Sequence, residues 1–291
     1  MINLVLPKGS LESATLKLFE EADLPVRRRN EREYNASIDD PRIGKVKILR
    51  PQEIARAVQL GYFDLGITGY DWVVEPDSDV HEVLDLAFNR GGASPARIVL
   101  AVPGDSKVFE PRDVPAGARI STEYPNLARA YFARLGIAVS VSLSYGATEA
   151  KIPELADAIV DLTETGSSLR QAGFRIVATL IETSTRLIAN HAAWEDPEKR
   201  KAIDEITTLL AGVLAARGKV LIKMNVPEER LKDVISMLPA MKSPTVSHLF
   251  GTTYYAVETV AIKNEINLLI PRLKGAGAED ILEIPISKIV A

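Results

Sequence analysis

The sequence has 291 residues, of which 46% are hydrophobic and 25% are charged, and its formal net charge is -4. This composition predicts a globular protein of two or three domains and excludes a general attraction to nucleic acid or to anionic membranes. No stretch reaches the roughly 18 apolar residues of a membrane span, and no signal peptide precedes the first strand. The absence of cysteine excludes disulfides, thiolate nucleophiles and cysteine-zinc sites, and it is compatible with a cytoplasmic location.

The first ninety residues alternate between strand and helix patterns. Strands are predicted over 2–6, 46–49 and 62–69, and helices over 11–21 and 51–60. Ligands of such α/β sheets bind at the carboxyl ends of the strands, where Lys8, Ser10 and Arg50 fall. Lys8 and Arg50 are therefore candidates to hold an anion, and the alternatives are a solvated Lys8, a capping Ser10 and a surface ion pair for Arg50.

A second α/β domain is predicted to begin after the glycine-rich turn at 90–95. Strands are predicted over 97–102 and 139–143, a strand with its following loop over 119–126, and a helix over 127–135 that ends at Gly136. Tyr124 lies in the loop after one of these strands. Its ring could stack on a purine or cover a hydrophobic edge.

The segment 149–174 predicts an anion site. A short buried strand over 158–162 contains Asp161, and it is followed at once by small hydroxyl residues, one glycine and a short capped helix. Unpaired backbone N–H groups and hydroxyls in such a loop suit a phosphate monoester. The residues of this predicted phosphate loop are Thr165, Gly166, Ser167, Ser168 and Leu169. The alternative is an ordinary turn with a helix cap, since the loop lacks the lysine of a nucleotide P-loop.

Two carboxylates accompany this loop. Asp157 and Asp161 are four residues apart in a strand-like run, so they are expected to share one face. A carboxylate at the carboxyl end of a strand, beside a phosphate pocket, suits the hydroxyls of a ribose.

The remainder of the chain predicts a return strand, a long helix and a small separate domain. The strand over 175–181 is expected to return to the first domain, and the helix covers 198–217. After Gly218 the pattern is β-α-β-β-α-β within about 75 residues, which is the ferredoxin-like plan. This module has no catalytic constellation, so dimerisation or ligand sensing is the expected role.

Several of these segments together resemble ATP phosphoribosyltransferases, the first enzymes of histidine biosynthesis. Glu149 followed by the run 155–162 and the loop Thr165-Gly166-Ser167-Ser168-Leu169 is similar to the signature of that family. The turn 7–11 and the loop 122–127 are similar to family segments that line the active site and contact nucleotide. Glu164 is a departure, because the family usually has a small residue there, so its side chain is expected to point away from the phosphate or toward a metal.

The resemblance implies a fold and domain limits. It implies an α/β protein with a periplasmic-binding-protein-like two-domain catalytic core and a C-terminal ferredoxin-like (βαββαβ) regulatory domain. The expected limits are 1–90 with 175–217 for the first catalytic domain, 91–174 for the second and 218–291 for the regulatory domain.

The resemblance also implies a reaction and the residues that serve it. The phosphoribosyl group of phosphoribosyl pyrophosphate (PRPP) would be transferred to N1 of ATP, with Mg²⁺ carried by the substrate and Asp161 as a candidate ligand of that ion. The implied catalytic residues are Lys8, Arg50, Glu149 and Asp161, and the phosphate loop would hold the 5′-phosphate. Nucleotide contacts are implied for Ser10, Gly69 and Tyr124, and an inhibitory histidine site for Asn225, Thr245 and Asp280. Homo-oligomers, both dimer and hexamer, are also implied.

Two other functions remain open on the sequence. A cytoplasmic solute sensor would share the two-domain cleft and lack catalysis. A protein similar to prephenate dehydratase would also join such a cleft to an amino-acid-sensing domain, but it would need no ribose phosphate site.

Overall fold

The computed structural model describes residues 1–86, 95–239 and 243–290, so most of the predicted turn at 90–95 lies outside the described residues. In these ranges the strands are β1 (Ile2–Pro7), β2 (Asn35–Ala36), β3 (Ile43–Leu49), β4 (Leu65–Gly69), β5 (His81–Asp85), β6 (Ala96–Pro103), β7 (Arg119–Thr122), β8 (Ser140–Leu143), β9 (Ala158–Thr163), β10 (Phe174–Thr183), β11 (Thr185–Ala189), β12 (Lys219–Pro227), β13 (Thr245–His248), β14 (Tyr254–Ile262) and β15 (Glu279–Pro285). The α-helices are α1 (Glu12–Glu21), α2 (Pro51–Gln59), α3 (Asp71–Val74), α4 (Pro125–Leu135), α5 (Ser167–Gln171), α6 (His191–Glu195), α7 (Pro197–Ala216), α8 (Leu231–Ser236) and α9 (Ile266–Gly275). None of the helices in the described part of the chain has the length and apolar character needed to cross a bilayer.

The chain divides into two compact units, Met1–Thr207 and Thr208–Ala291. The first unit contains two sheets built on the same plan. The first sheet has the order β2-β3-β1-β4-β11-β5 and the second has the order β10-β6-β9-β7-β8. In each sheet three parallel strands are followed by one antiparallel strand, β11 or β6, and then by a last strand, β5 or β10. We call the first sheet with its helices the first lobe and the second sheet with its helices the second lobe. The repeated arrangement confirms the predicted two-lobed α/β core.

The strand over 174–183 differs from its expected place. It pairs with β6 from Phe174 to Thr183 and so belongs to the second sheet, whereas the sequence pattern predicts it in the first domain. The chain crosses to the first sheet only at Ser184, where β11 begins to pair with β4. Strand-like residues extend through 174–189 without a helix pattern or a glycine between them, so the sequence indicates strand but cannot indicate which sheet each half joins.

Helix α2 shows how packing positions the edge of the first sheet. Pro51 occupies the first turn, and Ile54, Ala55 and Val58 are buried on one side. The helix lies close to the sheet because Gly66 has no side chain: a Cβ there would be 2.8 Å from Val58 Cγ2 and 2.9 Å from Ile54 Cγ2. This close approach places the start of α2, with Arg50 as its N-cap residue, directly at the carboxyl end of β3.

Two buried carboxylates of the first lobe join it to the second. The Asp71 carboxylate accepts hydrogen bonds from Thr183 Oγ1 at 2.7 Å and from the Tyr124 hydroxyl at 3.0 Å. The Glu75 carboxylate accepts the backbone N–H groups of Asn126 and Leu127, both at 2.9 Å, and thereby caps α4 of the other lobe. Burial raises the pKa of both carboxyls, although these hydrogen bonds oppose the rise. The links fix the two lobes to each other beside the crossing at Ser184.

The second unit has the ferredoxin-like plan that the sequence predicts. Its elements follow the order β12-α8-β13-β14-α9-β15, and its antiparallel sheet has the strand order β13-β14-β12-β15. Alternate residues of β12 are buried, which places Val220, Ile222, Met224 and Val226 in the core of this unit. The predicted helix 227–238 is shorter in the structure, since it begins as a 3₁₀ turn at Glu228–Arg230 and continues as α8.

Candidate active site

A cavity of about 440 Å³ lies in the second lobe, where β9 ends and α5 begins. It brings together two predicted catalytic carboxylates and four of the five predicted phosphate-loop residues. The lining consists of Glu149, Asp161, Leu162, Thr163, Glu164, Thr165, Ser167, Ser168, Leu169 and Ala172. The predicted loop and the predicted carboxylates therefore face one space, although they are separated by up to twenty residues in sequence.

The loop between β9 and α5 presents backbone donors and hydroxyls. Gly166 N–H donates to Thr163 Oγ1 at 2.9 Å, and Thr165 Oγ1 lies 2.8 Å from Ser167 Oγ. The first intrahelical bond of α5 runs from Arg170 N–H to Gly166 O, so the N–H groups of Ser168 and Leu169 have no intrahelical acceptor. Since α5 has only five residues, its dipole is small, and the amides and hydroxyls themselves are the means of binding an anion.

Gly166 holds the loop in the left-handed region, with φ of 74°. A Cβ at this position would be 2.9 Å from Arg170 Nη1, and Arg170 Nη2 donates to the Thr165 carbonyl at 3.0 Å. Any side chain at position 166 would thus displace the arginine that braces the loop.

We expect Gly166→Ala to weaken the binding of a phosphate monoester about tenfold and to cost about 1–2 kcal/mol of unfolding free energy. Gly136→Ala is the matched control, because Gly136 also has a left-handed φ of 73° but open space around it. This control should lose about 1 kcal/mol with an unchanged affinity for the phosphate monoester. Calorimetric titration with ribose 5-phosphate and urea unfolding of both variants measure these effects, and equal affinities of the two variants would contradict the role of the loop.

The charge of the cavity is strongly acidic. Glu149, Asp161 and Glu164 all line it, and none of its lining residues is basic. Burial, together with the nearby carboxylates of Glu123 and Glu149, raises the pKa of Asp161 to about 6, although the Leu162 N–H bond opposes the rise. Glu164 is exposed and lines the cavity, and the two orientations expected for its side chain stay predictions.

Lys8, Ser10 and Arg50 lie at the carboxyl edge of the first sheet and do not line this cavity. Pro7 pairs with Leu49, so Lys8 and Arg50 follow neighbouring parallel strands and leave the sheet side by side. Lys8 Nζ is 4.4 Å from the centre of the Tyr34 ring. Arg50 is exposed and has no ion-pair partner among the described residues, so the surface ion pair considered from the sequence is absent there.

Ser10 is exposed and does not cap α1, because the helix begins after Leu11 without a side-chain capping bond. Gly69 ends β4 and packs against the Asp71 carboxylate: a Cβ at Gly69 would be 2.3 Å from Asp71 Oδ1. The nucleotide contacts of both residues stay predictions.

Tyr124 is only 3% exposed and lies at the contact between the lobes. Its ring stacks on Trp72 with 4.6 Å between ring centres, and burial together with the Asp71 carboxylate raises the pKa of its hydroxyl. One face of the Tyr124 ring thus covers a hydrophobic neighbour, and Tyr124 does not line the cavity, so its nucleotide contact stays a prediction.

The second unit brings two of the three predicted histidine-binding residues together. Asn225 Nδ2 donates to Asp280 Oδ2 at 2.8 Å, and Asp280 has a left-handed φ of 48°. Thr245 lies on β13, two strands from β12, and opposite Lys223 rather than Asn225, so it is about 12 Å from Asn225 across the sheet. That Thr245 shares a binding site with Asn225 and Asp280 stays a prediction.

Sequence patterns did not indicate several residues that shape this region. Asp71 and Glu75 are acids in a short helix, and only the tertiary structure shows that they are buried against the second lobe. Lys151 is a further example, since it bonds Ser144 Oγ and the Gly146 carbonyl beside the turn that carries Glu149. The one signal for Asp71 was its position just after a strand that ends at Gly69.

Two family profiles and several curated relatives match this chain. The family profile described as ATP phosphoribosyltransferase matches residues 50–212, and that described as "HisG, C-terminal domain" matches residues 216–288. The chain is 47% identical to an ATP phosphoribosyltransferase of Desulforudis audaxviator over 99% of both chains. This chain belongs to the ATP phosphoribosyltransferase family.

Other relatives extend the match. An ATP phosphoribosyltransferase of Chlorobium luteolum is 47% identical over 100% of this chain and 98% of its own. Among solved structures, the "ATP phosphoribosyl transferase (HisG:HisZ) complex from Thermotoga maritima" covers 72% of this chain and 96% of that chain, with a TM-score of 0.60 and 24% identity. The ATP phosphoribosyltransferase family membership confirms that the chain is an enzyme, and the profile over 216–288 confirms the long form with its C-terminal domain.

Proposed function

We propose that this enzyme transfers the phosphoribosyl group of PRPP to N1 of ATP and releases pyrophosphate, the first step of histidine biosynthesis. The observation that carries the proposal is the cavity that Glu149, Asp161 and the loop Thr165–Leu169 line together. It offers amides and hydroxyls for the 5′-phosphate beside carboxylates for the ribose hydroxyls. The family membership supplies the reaction, and the cavity supplies a place for the donor.

The proposed roles divide between the lobes. In the second lobe the N–H groups of Ser168 and Leu169 and the hydroxyls of Thr165 and Ser167 hold the 5′-phosphate. In the first lobe Lys8 and Arg50 neutralise the departing pyrophosphate, for which an arginine offers a bidentate grip. The bond from the ribose C1′ to the pyrophosphate oxygen breaks as the N1 lone pair forms the new bond to C1′, so no general base is needed at that step. Ser10, Gly69 and Tyr124 remain proposed contacts of the nucleotide.

The donor set of the cavity fits a magnesium ion carried by the substrate. Three carboxylates without a basic lining residue would repel PRPP unless a cation offset their charge. No group of three or more His, Asp or Glu side chains within the described ranges is arranged to hold a metal ion by itself. Asp161 and Glu149 would therefore contact an ion that the pyrophosphate already holds, and that ion would supply charge neutralisation of the leaving group.

The first test is formation of phosphoribosyl-ATP from ATP and PRPP with Mg²⁺, followed by ultraviolet absorbance. We expect turnover that requires Mg²⁺ and that added histidine suppresses. Turnover that histidine does not suppress would contradict the proposed inhibition by histidine at the second unit, but it would still support the transferase activity. Binding of ligands without turnover would instead support the solute-sensor alternative.

For the second unit we propose inhibition by histidine at a site that includes Asn225, Asp280 and Thr245. The hydrogen bond between Asn225 and Asp280 supports it, because an amide and a carboxylate held together suit the amino acid's charged groups. We propose the regulatory domain as 218–291 and the catalytic core as 1–217.

We further propose that the protein works in the cytoplasm as a homo-oligomer, with a dimer and a hexamer whose balance histidine shifts. ATP and PRPP are intracellular metabolites, which supports the location. The Thermotoga maritima relative is described as a HisG:HisZ complex, so assembly is a property of that similar protein. Sedimentation with and without histidine tests the assembly of this one.

A further inference from the structure

The turn that carries Glu149 is held in an unusual backbone conformation. It follows Gly146, with φ of 92°, and Ala147, with φ of 46° and ψ of 50°. A non-glycine residue in the left-handed region costs about 1–2 kcal/mol, so neighbouring contacts must stabilise it. The 3₁₀ turn Thr148–Lys151 then places Glu149 against the cavity.

A small polar cluster beneath this turn supplies the stabilising contacts. Ser144 is 2% exposed and Thr148 is 3% exposed, and their hydroxyl oxygens are 3.1 Å apart. Ser144 Oγ also donates to the Gly146 carbonyl at 3.2 Å, while Ser144 N–H bonds the Thr122 carbonyl at the end of β7 at 2.7 Å. The cluster thus ties the turn to the sheet.

Lys151 completes the cluster from the other end of the turn. Its ammonium donates to Ser144 Oγ, and it donates to the Gly146 carbonyl at 3.3 Å. Both acceptors are neutral, and within the described part of the chain the ammonium has no carboxylate partner. The side chain therefore closes a ring of hydrogen bonds around Glu149 and Ala150, the two residues between Thr148 and Lys151.

We propose that Lys151 is a positioning residue for Glu149. Its two hydrogen bonds hold Gly146 and Ser144, keep Ala147 in the left-handed region and so fix the direction in which Glu149 enters the cavity. The proposal rests on the proposed function, in which Glu149 contacts the ribose or the metal of PRPP. Without the ammonium, the Gly146 carbonyl loses a donor and the turn can relax, which moves the carboxylate.

A double-mutant cycle with calorimetric binding of Mg²⁺-PRPP tests this role. The proteins are the wild type, Lys151→Met, Glu149→Gln and the double variant. We expect Lys151→Met to weaken binding about tenfold in the wild-type background and less than about twofold when Glu149 is already replaced. Lys151→Arg, which keeps a charged donor, should recover most of the loss.

Controls separate this result from a general loss of structure. Lys107→Met removes an exposed lysine of the same lobe and should leave binding unchanged. The melting temperature should fall by the same amount on Lys151→Met in both backgrounds, because a purely structural effect does not depend on Glu149. If Lys151→Met fails to fold, Ser144→Ala takes its place, since it removes the acceptor and keeps the ammonium.

Equal weakening in the two backgrounds, or binding within twofold of wild type on Lys151→Met, would overturn the positioning role. A wild-type protein that binds no Mg²⁺-PRPP would overturn the proposed function itself. The two failures are therefore distinguished by the wild-type titration alone.

Discussion

Replacing Asp161 by asparagine is expected to raise the free energy of unfolding at pH 8 and, at the same time, to lower phosphoribosyl transfer. Burial and the neighbouring carboxylates raise the pKa of Asp161 to about 6, from an ordinary value of 3.8. A carboxyl with a raised pKa destabilises the folded protein at every pH at which the unfolded chain would ionise it. This loss of unfolding free energy is absent below pH 3.8, grows as the pH rises toward 6 and reaches about 3 kcal/mol above pH 6.

Asparagine removes this cost and keeps the local bond, because its oxygen can still accept the Leu162 N–H that lies 2.7 Å from Asp161 Oδ1. We therefore expect Asp161→Asn to be more stable by up to about 3 kcal/mol at pH 8, with a gain that disappears near pH 4. Urea unfolding at pH 4.5, 6 and 8 measures this. The same variant should lose about 10²-fold in kcat, since it lacks the charge proposed for the ribose or the metal.

Asp157→Asn is the matched control in the same segment. The Arg119 guanidinium and N–H lower the pKa of Asp157, so this carboxylate stabilises the fold above its unfolded pKa and loses that effect as the pH falls. Asp157→Asn should therefore be slightly less stable at pH 8 and keep its activity. An Asp161→Asn protein that is less stable than wild type at pH 8 would contradict the explanation.

Replacing Arg50 by alanine is expected to lower kcat/KM for PRPP by about 10²–10³-fold with little change in stability. The guanidinium is exposed at the start of α2 and has no ion-pair partner among the described residues, so its removal should change the unfolding free energy by less than about 0.5 kcal/mol. Its proposed role is to neutralise the pyrophosphate as the bond to C1′ breaks. Lysine at this position should restore only part of the rate, because it cannot make a bidentate contact.

Arg56→Ala provides the control on the same helix. Arg56 is also exposed, but its Nη1 donates to Gln59 Oε1 at 3.0 Å on a side of α2 remote from the N-cap. Its replacement should leave kcat/KM within twofold. Steady-state kinetics at saturating ATP gives kcat/KM for PRPP of each variant. An Arg50→Ala enzyme with a near wild-type kcat/KM would contradict the proposed pyrophosphate contact.

Local sequence patterns were sufficient for most elements of this protein. Alternating strands and helices, Pro51 at the start of α2 and Gly136 at the end of α4 all carry short-range signals, and the structure has the elements they predict. The β-α-β-β-α-β order after Gly218 likewise indicated a separate small domain, because strand and helix patterns follow one another in that order along the chain. The phosphate loop was also readable, since a strand, a glycine and hydroxyl residues are consecutive in the chain.

The sequence patterns could not indicate which strands pair with each other when those strands are distant in the chain. The run 174–189 indicated strand throughout, but only the structure shows that β10 pairs with β6 and β11 with β4, because hydrophobic periodicity carries no information on the partner. The position of Tyr124 in a predicted loop likewise did not indicate that its hydroxyl donates a hydrogen bond to Asp71, which lies fifty-three residues earlier in the chain.

Patterns among neighbouring residues thus predicted the secondary structure, the two-lobed α/β class and the loop between β9 and α5; that this loop binds phosphate stays a prediction. Packing between distant segments shows that Glu149 and Asp161 share one acidic cavity and that Lys8 and Arg50 leave adjacent strands. It also decided that Asp71 and Glu75 are buried between the lobes. These features depend on packing between distant segments, and burial is also what raises the pKa of Asp161.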